Sequence, residues 1–140
     1  GASPATILSY DLVMPPTDAR GKWVLGGAPG HLVDGIHYCL HDAAARDGDS
    51  KGSAMPRLPV VLVHGIGDFS HRWQPLATVL AMNGHRVVTF DFRGRGWSDR
   101  VSGEAFDADD HVAQLRTVAH HVGLDQCEHC VVGHSMGAIV

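Results

Sequence analysis

The pentapeptide Gly133-His134-Ser135-Met136-Gly137 constrains this chain more than any other segment. Its G-x-S-x-G pattern places a serine on a sharp turn between a strand and a helix, flanked by residues without a Cβ. The run before it, Cys130-Val131-Val132, is short, apolar and β-prone, and Ala138-Ile139-Val140 after it begins as an apolar helix. A strand that feeds a helix through so tight a turn belongs to a sheet covered by helices, which argues for an α/β fold.

The upstream sequence carries the same alternation. Val60-Val61-Leu62-Val63 is a continuous β-branched run of the kind buried on both faces of a parallel sheet. It leads into the glycine-punctuated His64-Gly65-Ile66-Gly67-Asp68. Helical spacing of Trp73, Leu76, Ala77 and Leu80 predicts a helix over about 70–83, with Pro75 in its first turn and Gly84 as its stop. A second buried strand is expected at 86–90, closing in Asp91-Phe92-Arg93-Gly94-Arg95-Gly96-Trp97-Ser98. A helix over about 108–122 follows, N-capped by Asp107, with Val112, Leu115, Ala119 and Val122 on one face and Gly123 at its end. The strand at 129–133 then enters the serine turn. These alternating elements predict a mostly parallel sheet flanked by helices.

Residues 1–58 are organised more loosely. Gly26, Gly27, Pro29 and Gly30 leave room only for short strands, expected at 22–25 and 36–41. The Ala-, Asp-, Gly- and Ser-rich stretch 42–56 reads as a long, exposed, mobile loop. We therefore divide one domain into 1–58, its N-terminal strands and loop, and 59–140, the first half of its core.

A serine hydroxyl attacks a carbonyl only when a base takes its proton and N–H groups stabilise the oxyanion that forms. The glycines at 133 and 137 let Ser135 occupy a strained, exposed position, and the Met136 amide lies at the helix start, where free N–H groups point at developing charge. A second N–H is expected from the loop after an earlier strand, and the Ile66 amide occupies that place. His64 reads as an organiser of this loop rather than a proton carrier. His134, next to the serine, should turn its side chain away from the Ser135 oxygen.

Taken together, three segments resemble the α/β-hydrolase family of serine hydrolases. They are His64-Gly65 after a buried strand, the D-x-R-G-x-G-x-S of Asp91, Arg93, Gly94, Gly96 and Ser98, and Gly133–Gly137. All stand in the family's order over residues 59–140, and residues 1–58 match as its leading antiparallel strands. The resemblance implies an α/β-hydrolase fold truncated after the nucleophile elbow, and hydrolysis of an ester-type bond through an acyl-enzyme at Ser135. It calls for no cofactor and no metal, and for a small-molecule ester or acyl substrate. The segment Arg93–Arg100 is then a structural turn rather than an anion grip, and Asp91 and Asp68 serve as loop hydrogen-bond acceptors. Trp73 and Trp97 either line a pocket or fill core.

In this family the triad acid and histidine follow the serine along the chain. Only five residues follow Ser135, so both are expected beyond Val140, and the 140 residues on their own are expected to be inactive and poorly soluble. Two alternatives remain open. One keeps the fold for a C–C hydrolase, lyase or cofactor-free haloperoxidase; the other is a receptor or interaction protein without turnover. Epoxide hydrolases and haloalkane dehalogenases would call for Asp at position 135.

Composition excludes other classes. A net charge of -4 gives no electrostatic footprint for nucleic acid. No apolar run is long enough to span a bilayer. Cys127-Glu128-His129-Cys130 is formally C-x-x-C, yet no second paired cluster completes a zinc site, and the 11 histidines show no metal-binding spacing. Three cysteines lean weakly towards a reducing compartment, and compartment and oligomeric state stay open.

Overall fold

The computed structural model describes residues 12–25, 27–45, 57–101 and 107–140. In chain order its regular elements are β1 (Gly30–Val33), β2 (Ile36–His41), β3 (Val60–Val63), α1 (Gln74–Met82), β4 (Val87–Phe90), α2 (Ala108–His121) and β5 (Cys130–Gly133). The strands form one sheet in the order β1-β2-β4-β3-β5. Pairing is parallel between β4 and β3 and between β3 and β5, and antiparallel across β1, β2 and β4.

The β-branched runs form strands because both of their faces are covered. Val60, Leu62 and Val87 face α1 and the turn before it, with Ala77 and Leu80 of the helix and Trp73 of the turn packed against them. Val61, Val63, Val88 and Phe90 face the other way, onto Val118, Leu115 and Ala119 of α2. Helices thus cover both faces, as the alternation predicts.

Helix boundaries follow local chemistry. Asp107 caps α2, its carboxylate accepting from the amides of Asp109 and Asp110, and Gly123, at φ 79°, ends it in the left-handed conformation. The expected helix over 70–83 is split. Ser70–Trp73 is a 3₁₀ turn and the α-helix proper starts at Gln74, with Pro75 in its first turn, where a missing N–H costs nothing.

Two expectations for the N-terminal part need correction. Residues 22–25 form no strand; only an isolated bridge joins Thr17 to Trp23, because Trp23 and Val24 are exposed and find no face to bury. A strand not foreseen, β1, instead pairs with β2 through the two-residue turn Asp34-Gly35. Both turn residues have positive φ (48° and 74°), the geometry of a type I′ hairpin turn. Of the loop expected over 42–56, residues 46–56 lie outside the described residues.

Candidate active site

Strands β3 and β5 run in register, with Val63 opposite Gly133, so they end level and the loops leaving them are neighbours. The His134 amide donates to the Val63 carbonyl at 3.1 Å and carries the pairing one residue into the turn. Ser135 follows at φ 54°, a conformation costing a non-glycine residue roughly 1–2 kcal/mol, and its side chain is exposed. Residues Ser135–Ala138 continue as a 3₁₀ turn.

Packing explains the two glycines. A Cβ on Gly133 would overlap the Gly137 carbonyl, and one on Gly137 would overlap the Val63 carbonyl. The turn can therefore close only where both side chains are absent. Met136 is buried in the core cluster that also holds Val63 and Phe92, which anchors the turn. Sequence reasoning singled out only its amide.

The loop after β3 lies directly against this turn. A Cβ on Gly65 would stand 3.1 Å from both the Ser135 Cβ and the His134 carbonyl oxygen. His64 is 1% exposed. Its Nδ1 bonds the Gly65 carbonyl at 2.9 Å, and its Nε2 accepts from the Phe92 amide at 3.0 Å. Both ring nitrogens are thus bonded to backbone, which ties the start of this loop to the strand end at Phe92. Burial pushes the His64 pKa down, opposed by its bond to Gly65 and by the charges of Asp91 and Asp68. Ile66 is exposed, and among the described residues neither its amide nor that of Met136 has a hydrogen-bond partner. His134 places its Nδ1 over Gly65, and no histidine among the described residues bonds the Ser135 hydroxyl.

The segment after β4 is held from within. Asp91 is fully buried. Its Oδ1 accepts from the Ser70 amide at 2.6 Å, and its Oδ2 accepts from the Trp97 amide at 3.1 Å and lies 3.2 Å from His37 Nδ1. Gly96 lacks the Cβ that would overlap this carboxylate. Two of the segment's arginines bind carbonyls: Arg93 holds that of Asp34, and Arg100 those of Gly94 and Gly96. Asp68 accepts from the Phe69 amide and pairs with Arg72 at 3.2 Å.

A separate cavity of about 260 Å³ lies between β2 and α1, lined by His37, Cys39, Ser70, Thr89 and Trp97 among others, with Ser135 not in its wall. Burial, and secondarily the Asp91 charge, raises the Cys39 pKa, so the thiol stays protonated. Among the described residues no cluster of three or more His, Cys, Asp and Glu could hold a metal ion. No helix there is long and apolar enough to cross a membrane. The structure therefore brings together His64, Gly65, Gly133, His134, Ser135 and Gly137, with the Ile66 and Met136 amides on the two loops that meet.

Residues 54–140 match the profile of the family described as serine aminopeptidase, S33. A putative non-heme chloroperoxidase of Synechocystis is 38% identical over 79 residues, 56% of this chain and 28% of that protein. Among solved structures, a thioesterase domain from the curacin biosynthetic pathway superposes with a TM-score of 0.60 at 30% identity, covering 81% of this chain and 36% of that one. An epoxide hydrolase from Vigna radiata gives a TM-score of 0.63 at 21% identity, with 81% and 32% covered, a likeness of fold alone. The chain thus spans about a third or less of each protein it matches. Serine turn, flanking loop and sheet order agree with a family profile that covers more than half of the chain, and the chain belongs to the serine aminopeptidase S33 family of α/β hydrolases.

Proposed function

We propose that the protein containing this chain is a serine hydrolase that cleaves a small ester-type substrate through an acyl-enzyme, with Ser135 as the nucleophile. The observation that carries this reading is the exposed Ser135 at φ 54°, on a turn whose flanking glycines admit no side chain. A surface serine with no chemical duty has no reason to keep such strain. The unpartnered amides of Ile66 and Met136 form the oxyanion hole, stabilising charge that develops on the carbonyl oxygen as the Ser135 oxygen adds. His64 is committed to backbone through both ring nitrogens and does not serve as the general base.

In the protein containing this chain, Ser135→Ala lowers hydrolysis of p-nitrophenyl acetate by on the order of 10⁶-fold and abolishes labelling by a fluorophosphonate. Unchanged turnover in that variant refutes the assignment. The likeness to a putative chloroperoxidase favours cofactor-free haloperoxidase chemistry as a second reading. Halogenation that depends on Ser135, without ester turnover, would select it.

A further inference from the structure

We propose that Asp91 is a positioning residue that holds the Ile66 amide in place for catalysis, an inference that rests on the reading of Ser135 and Ile66 above. The loop from His64 to Ser70 has little apolar anchorage, since Ile66 is 65% exposed and Phe69 37%. Polar contacts at its two ends hold it instead. Both come from consecutive residues of the neighbouring strand end. The Phe92 amide donates to His64 Nε2 at 3.0 Å, and Asp91 Oδ1 accepts from the Ser70 amide at 2.6 Å. Asp91-Phe92 therefore grips the loop at its first and last residues, with the candidate oxyanion donor between them.

The grip needs a carboxylate. Two backbone N–H groups and the His37 ring converge on Asp91, which is fully buried. An acceptor-only group satisfies all of them, and its charge strengthens each bond. An asparagine would have to turn an NH₂ towards these donors. The oxyanion interaction strengthens only in the transition state, so loosening the loop lowers kcat and leaves KM nearly unchanged.

Two variants of the protein containing this chain test this. Asp91→Asn keeps the shape and removes the charge. Ser70→Pro removes the donated N–H, together with the Ser70 hydroxyl, and leaves the Asp91 carboxylate intact. Ser70 opens a 3₁₀ turn and Phe69 before it is extended (φ -162°, ψ 167°), as a residue preceding proline must be. Each is expected to lower kcat for p-nitrophenyl acetate by ~10–100-fold with KM changed less than about twofold, and to weaken an aryl trifluoromethyl ketone by a matching factor. Millisecond exchange should appear at the Ile66 and Gly67 amides in relaxation-dispersion spectra. If Asp91→Asn does not fold, Ser70→Pro decides alone. Unchanged kcat, a fall in kcat that only tracks the folded fraction, or a loop as rigid as in the parent overturns the proposal. The relaxation measurement needs no turnover, so a failed clamp is distinguishable from a failed Ser135 assignment, which Ser135→Ala tests separately.

Discussion

His64 Nδ1 donates to the carbonyl oxygen of Gly65 at 2.9 Å, and so fixes the peptide plane whose N–H belongs to Ile66. In a trans peptide the carbonyl and the following N–H point in opposite directions. Tying the carbonyl inward to a buried ring therefore turns the Ile66 N–H outward. Because Nε2 accepts from the Phe92 amide, the ring must be neutral, with its proton on Nδ1.

That requirement makes the fold acid-sensitive. A histidine whose pKa is lowered by folding binds its proton more readily in the unfolded chain, so stability rises with pH where the two states differ. Burial lowers the pKa of both His64 and His41. Stability should therefore fall as pH drops through about 6.5, the ordinary histidine value, and level off below the folded pKa values. Urea midpoints should be lower at acid than at neutral pH. His64→Gln, which cannot titrate, should shrink that difference without removing the share due to His41. A midpoint that rises on acidification contradicts this assignment.

The serine turn predicts an order of damage. Gly133→Ala and Gly137→Ala force a Cβ onto backbone carbonyls and should each cost about 3 kcal/mol. Gly65→Ala meets its neighbours only at 3.1 Å and should cost about 1 kcal/mol, while crowding Ser135 and lowering turnover. Ser135→Gly should stabilise the protein by about 1 kcal/mol relative to Ser135→Ala, because it relieves the positive φ. Denaturant titrations of the five variants check this ranking.

Strand β5 pairs only with β3 among the described residues, and Val131 and Val132 on it are 50% and 39% exposed. Such an edge invites pairing with another chain. Residues 1–140 purified on their own should sediment as concentration-dependent oligomers. Val131→Lys should shift them towards monomer. An unsubstituted chain of residues 1–140 that stays monomeric across the concentration range contradicts the edge argument.

What the sequence disclosed and what it concealed divide along contact distance. Strands β3 and β4 were legible because Val60–Val63 is apolar throughout and Val87–Phe90 is apolar but for the β-branched Thr89, which only two covered faces explain. The α2 boundaries were legible because Asp107 and Gly123 act within a few residues of themselves. The β1–β2 hairpin was missed although Asp34-Gly35 carried its turn signal, since the nearby glycines read only as interruptions. One of them has another purpose: a Cβ on Gly30 would overlap the His37 ring. The Asp91 hub was legible only as a loop acceptor. Its partners Ser70 and His37 lie 21 and 54 residues away, and no local pattern encodes them.

The strand order has a consequence for synthesis. Strands β2 and β3 precede β4 in the chain, yet β4 lies between them in the sheet. Until Phe90 has left the ribosome, a nascent chain holds a hairpin and a lone apolar strand destined to sit roughly 10 Å apart, with nothing to fill the gap. A pause before Val87 would leave Val60–Val63 open to chaperones or to aggregation, and arrival of the next strand would join both pieces at once.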